Sequence, residues 1–304
     1  MSVEPKPCGI SSLASRREFL KAAAFGASMA VFGAGATPAL ASESGGITDV
    51  NVSLGRWPVR RMPLDEPDRL VAKLRSRGVV QAWTGSLEGL LHKNLAAVNE
   101  RLAEDCRRHG RGRLLPFGSI NPSLPEWQED LRHCVEVHRF KGIRLHPNYH
   151  GYRLDNPAFA RLLQLAARHR LIVQVSLVME DERMMHPLLR VEPVDTKPLV
   201  ELARQTPGLR LVLLNALRTL RGEPLRKLTS AADICVEISM LEGVGAIASL
   251  LEQVPSDRVV FGSHSPLFYF EAAELKLKES PLTQEQLRRI RFANAQRLLS
   301  TSPV

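Results

Sequence analysis

Between residues 47 and 300 the chain repeats one pattern eight times: a short apolar run, then a longer stretch whose apolar residues recur at helical spacing. The apolar runs fall at 48–52, 79–84, 114–118, 142–145, 171–175, 210–214, 234–238 and 259–262. Runs this short and this apolar suit strands buried on both faces. The helical patterns lie at 67–77, 95–109, 125–138, 157–169, 198–205, 224–231 and 244–254, with a final pair within 268–299. Pro67, Pro125, Pro157, Pro198 and Pro224 open five of them, where a missing N–H costs nothing. Leu162, Leu163, Ala166 and Ala167 illustrate the single apolar face that each helix would bury. Strands joined through helices run parallel, and eight such units in about 260 residues predict an α/β fold, a (β/α)8 TIM barrel. The competing arrangement, a doubly wound open sheet, wants a glycine-rich phosphate turn after its first strand, and none is present.

The first forty residues read as an address. Ser15-Arg16-Arg17-Glu18-Phe19-Leu20-Lys21 resembles the twin-arginine signal pattern, an Ala/Gly-rich apolar run follows at 22–36, and Pro38-Ala39-Leu40-Ala41 has the form of a cleavage site. The expected organisation is therefore a signal peptide at 1–41 and one barrel domain at 42–304. The resemblance implies export by the twin-arginine machinery, already folded, to the periplasm or beyond. The apolar run is too short and glycine-rich for a stable membrane span.

Charge and cysteine content exclude more than they assign. The formal net charge is +9, but aromatic residues are only 5%, so the basic residues read as a solvated surface and not as a nucleic-acid stripe. Cys8, Cys106, Cys134 and Cys235 form no CxxC pair. Buried free thiols are expected, with a 106–134 disulfide the alternative.

Four stretches carry a family resemblance. They are Asp49-Val-Asn-Val-Ser53 on the first strand, Gly142-Ile-Arg-Leu-His-Pro-Asn-Tyr-His-Gly-Tyr152 on the fourth, Val260-Phe-Gly-Ser-His-Ser-Pro266 on the eighth, and the closing Phe292-Ala-Asn-Ala-Gln-Arg-Leu-Leu299. In this order they resemble the amidohydrolase superfamily, in the group that includes small decarboxylases and lactone hydrolases. That resemblance implies a divalent ion at the carboxyl ends of the strands, held by two His on strand one, His on strands five and six, and Asp on strand eight. The corresponding residues here are Asn51, Ser53, Ser176, Asn215 and His264. Asn and Ser are weak, neutral donors. No cofactor is therefore expected, and zinc or another divalent metal only through an unusual ligand set.

What remains at the strand ends defines the candidate site. His146 and His264 each follow an apolar run, and either could move a proton near neutral pH or be a satisfied packing residue. Glu237 is the candidate carboxylate partner. Arg144 and Arg183 are candidates to orient a substrate, with Asn51, Ser176, Asn215 and His150 as further contacts. Tyr149, Tyr152, His92 and the segment with Arg56, Trp57, Arg60 and Arg61 could line the same end or belong to surface turns. The long segment 177–195 reads as a lid or binding loop, with Glu180 and Asp181 as solvated charges. No G-x-S-x-G, P-loop or H-E-x-x-H motif appears. The expected function is hydrolysis of a small ester, lactone or amide. A non-catalytic ligand-binding protein and a decarboxylase-type lyase are the alternatives.

Overall fold

The computed structural model describes residues 46–300, so the export signal assigned to 1–41 lies outside the described residues. Eight parallel strands follow one another around a single sheet in sequence order. They are β1 Ile47–Leu54, β2 Val79–Ser86, β3 Leu114–Ser119, β4 Gly142–Leu145, β5 Ile172–Ser176, β6 Arg210–Leu214, β7 Asp233–Glu237 and β8 Val259–Val260. The ring closes where Val50 N donates to Phe261 O and Ser53 N to Ser265 O, each at 2.9 Å. This is the (β/α)8 barrel the alternation predicts. Strand limits shift by one or two residues from the expected ones, and β8 is the shortest; just beyond it Ser263 and Ser265 hydrogen-bond to β1.

The helices surround the sheet: α1 Pro67–Ser76, α2 Leu95–Gly110, α3 Trp127–Arg132, α4 Pro147–His150, α5 Pro157–Arg168, α6 Leu199–Arg204, α7 Gly222–Ala231, α8 Ala246–Leu251, α9 Phe270–Glu279, α10 Gln284–Arg288 and α11 Asn294–Leu299. Two depart from simple helices, since α3 and α10 each run on into a π-helical turn, His133–Val137 and Arg289–Ala293. The one-turn α4 is absent from the expected helices. It starts at Pro147 and stops at Gly151, whose φ of 71° ends the turn, and four residues are too few to show a period. Cys106, Cys134 and Cys235 are free and buried, so the 106–134 disulfide does not form.

Side chains alternate along each strand between the helix layer and the barrel axis. The lower interior is apolar, with Trp83, Phe117, Ile172, Val212, Cys235 and Val260 in one cluster that Ala295 and Leu298 of α11 close from below. Trp83 and Phe117 stack at 5.0 Å. One layer higher the interior becomes polar. Two glycines make room for it: a Cβ on Gly85 would lie 2.7 Å from the Arg144 guanidinium, and one on Gly262 would strike the Glu237 carboxylate.

Candidate active site

The upper layer is a network built from the ends of four strands, β1, β6, β7 and β8. Asp49 accepts from Asn51 N at 3.1 Å, Ser263 N at 3.0 Å and Ser263 Oγ. Burial raises its pKa to about 7 against these hydrogen bonds, with a small further push from Glu237. Asn51 donates its amide to Asn215 Oδ1 at 2.8 Å and to Glu237 Oε1 at 3.2 Å. Glu237 also accepts from Asn215 N at 2.6 Å and Ser239 Oγ at 2.7 Å. Glu237 thus orients Asn51, Asn215 and Ser239, and not a histidine as its sequence position suggested.

Arg144 lies below this network, 2% exposed. Its five N–H groups reach Gln174 Oε1 at 2.7 Å, Val52 O at 2.8 Å, Ser53 Oγ at 3.1 Å, Val50 O at 3.4 Å and Trp83 O at 3.0 Å. Expected to orient a substrate, it instead has every donor committed to the barrel's own wall. Burial pulls its pKa down to about 9, with Asp49 and Glu237 opposing, and it stays cationic at neutral pH. The guanidinium of Arg183, the other expected substrate contact, is exposed and pairs with Asp181 at 2.6 Å. Ser176 Oγ donates to Val178 O at 3.0 Å and Asn215 Nδ2 to the same oxygen at 2.7 Å, so both hold the start of the loop after β5.

The histidines sit at the mouth itself. His146 is 2% exposed, and neither ring nitrogen has a partner. Burial first, then His150, Arg144 and His264, hold its pKa well below the usual value. His150 packs edge-on against it with centroids 6.1 Å apart and contacts the Gly89 carbonyl. His264, 1% exposed, contacts the Met179 carbonyl at 2.8 Å, and burial pushes its pKa down to about 4. Asn215 and His264 both have left-handed backbone, φ 56° and 57°. That conformation strains a non-glycine residue and is often found where a site dictates geometry.

An apolar cap covers this end. Trp57, Met62, Leu87, Leu90 and Met179 form a buried cluster of their own, drawn from the loops after β1, β2 and β5. Beside it Arg60 pairs with Glu180, which is 4% exposed. Glu180 is therefore not the solvated charge expected from its loop; pairing with Arg60 offsets the cost of its burial. The Trp57 indole N–H faces the same carboxylate but does not form a well-aligned hydrogen bond. A surface groove of about 390 Å³ runs beside the cap along Asn148, Arg153 and Pro193 to Tyr152. The Tyr152 ring packs 6.3 Å from His150.

Sequence reasoning missed Gln174 and Ser263, the partners of Arg144 and Asp49. Both lie on stretches already singled out, and strand alternation points Gln174 inward beside Ser176. Among the described residues no group of three or more His, Cys, Asp or Glu side chains could hold a metal ion.

A parallel barrel with polar residues gathered at the carboxyl ends of its strands has the layout of a barrel enzyme. The chain belongs to the amidohydrolase family, whose profile its residues 58–301 match. No curated protein matches it. Among solved structures it is similar to a 5-carboxyvanillate decarboxylase from Novosphingobium aromaticivorans complexed with manganese, with a TM-score of 0.66 at 13% identity, over 85% of this chain and 97% of that one. A dihydroxybenzoic acid decarboxylase from Polaromonas, with bound manganese and an inhibitor, gives 0.64 at 14% identity over 84% and 97%. The 2,6-dihydroxybenzoate decarboxylase from Rhizobium gives 0.63 at 14% over 84% and 98%. At such identities the likeness speaks for the fold.

Proposed function

We propose that this chain hydrolyses a small ester, lactone or amide at the barrel mouth without a divalent ion, with His146 as the proton acceptor. The observation that carries the reading is the pair of unpartnered ring nitrogens on a buried imidazole. Buried polar groups in native proteins almost always find a partner, and leaving one without costs about 1–3 kcal/mol. A ligand or a reacting water supplies what the fold withholds. Burial keeps His146 neutral at rest, with a lone pair free to take a proton; the same burial opposes the imidazolium, so the proton is held only until it passes to the leaving group. Water attacks the carbonyl carbon and its proton passes to His146. The imidazolium returns that proton to the departing oxygen or nitrogen as its bond to carbon breaks, giving an acid and an alcohol or amine.

The metal-free part rests on the chemistry of the donors. Asn51 and Asn215 use their amides on each other, Glu237 and Val178, Ser53 accepts from a guanidinium, and His264 is held by a carbonyl. Such a set does not fit a divalent ion, which wants about three imidazole, thiolate or carboxylate ligands. Decarboxylation is the second reading, favoured by the decarboxylases among the similar solved structures. Export through the twin-arginine route belongs to the same proposal, resting on Arg16 and Arg17; recovery of chains starting near Ser42 from the periplasm checks it, and their absence there overturns it.

The test is a product screen over esters, lactones, amides and hydroxybenzoic acids with the purified protein. His146→Asn is expected to lower kcat/KM on the best substrate by roughly 10²-fold or more, the usual worth of a general base. Unchanged turnover in that variant sinks the assignment of His146. Carbon dioxide release without hydrolysis moves the reading to a lyase, and saturable binding without product moves it to a binding protein.

A further inference from the structure

Two histidines at the mouth have their tautomers set by their partners. His150 Nε2 lies 2.8 Å from Gly89 O, and His264 Nε2 lies 2.8 Å from Met179 O. A carbonyl oxygen only accepts, so in each ring Nε2 carries the hydrogen. Asn215 Nδ2 also approaches His264 Nε2, at 3.5 Å, but that amide already donates to Val178 O at 2.7 Å and Ser176 Oγ at 3.3 Å. In a neutral ring the other nitrogen is then a bare lone pair. Nδ1 of His150 and Nδ1 of His264 are both buried, and neither has a partner. The Tyr149 and Tyr152 hydroxyls and both nitrogens of His146 are buried and unpartnered as well.

The site therefore offers two fixed acceptors and several groups that can turn either way. The buried cation Arg144 does not change this, since its five N–H groups all end on the barrel wall. We infer that the mouth recognises a small neutral ligand rich in N–H or O–H donors, such as a primary amide or a hydroxylated ester or lactone, and discriminates against carboxylates. A carboxylate brings only acceptors to His150 Nδ1 and His264 Nδ1. It could pair with them only if each ring took up a proton, which burial opposes. This inference rests on the reading of the mouth as a ligand site and names the chemistry of what enters it.

Calorimetry at pH 7 with benzamide, resorcinol and benzoate tests it on the purified protein. Benzamide and resorcinol are expected to bind at least about tenfold more tightly than benzoate, the discrimination that one unmatched buried hydrogen bond supplies. His150→Phe should abolish most of that preference. Nitrogen-15 spectra of the histidine rings in the unaltered protein give a readout independent of any variant's folding, and His150 and His264 should both be the neutral Nε2–H form. Equal or tighter binding of benzoate overturns the inference. So does an Nδ1–H tautomer in either ring, or a failure of both donor-bearing probes to bind, which would leave water as the occupant. None of these readouts needs turnover. Preference for benzamide without hydrolysis would defeat only the chemistry proposed above, and hydrolysis with a preference for benzoate only this inference.

Discussion

Asp49 shows how a single residue couples the site to stability. Its carboxyl is fully buried and accepts three hydrogen bonds, yet burial outweighs them and holds its pKa at about 7. In the unfolded chain it ionises near the ordinary value of about 3.9. Between those two pH values the folded state holds the extra proton, so stability falls as pH rises, by up to about 1.4 kcal/mol per unit. Above pH 7 both states are ionised and this contribution levels off. Urea titrations between pH 4 and 8 should show that decline, and Asp49→Asn, which mimics the protonated form, should flatten it. An undiminished slope in the variant would mean that another group is responsible. Asp49, Asn51 and Ser53 alternate along one strand, so sequence alone puts them on a common face. Their pairing with Ser263 and Glu237 was not legible there, because those partners lie 214 and 186 residues away in sequence and nothing local reports which inner side chains meet.

At the scale of elements, β4 carries both the support and the chemistry. Arg144 ties β1, β2 and β5 together from within the barrel, and His146 follows two residues later at the mouth. Removing the guanidinium takes a donor from each of Val52, Trp83, Ser53 and Gln174, while Val50 O keeps the Gln174 amide at 2.7 Å, and it removes a buried cation that Asp49 and Glu237 favour. Arg144→Met is therefore expected to cost about 3–5 kcal/mol, because several buried acceptors each lose a donor at about 1–3 kcal/mol, and Arg144→Lys should recover little because an ammonium cannot span five acceptors. Denaturant midpoints measure both, and a loss below 1 kcal/mol in the methionine variant would show that the wall does not depend on Arg144. Strands and long helices were readable because each repeats its pattern over enough residues to show a period. The one-turn α4 and the cap over the mouth have no period. The cap is held by Trp57, Leu87 and Met179 meeting from separate loops, and by the burial of Glu180 against Arg60, a tertiary choice that local charge patterning reads as a solvated loop.

The whole molecule keeps the amidohydrolase barrel while its mouth is organised around amides, hydroxyls, one buried arginine and neutral histidines. The fold was legible from the eightfold alternation alone, and Asn51, Ser176 and Asn215 as candidates from their places at strand ends. What those residues do was not, since it depends on closure: the ring brings β1, β6 and β7 within 3.2 Å of one another through Asn51, Asn215 and Glu237. Enclosure beneath an apolar cap then gives the unpartnered nitrogens of His146 their weight, because water does not reach them freely. The central question at this mouth is whether those groups work without a metal. Elemental analysis of protein purified without chelators addresses that directly. Far less than one tightly bound divalent ion per chain is predicted. One equivalent of zinc or manganese, lost when His264 is replaced, would contradict the account and return the mouth to metal chemistry.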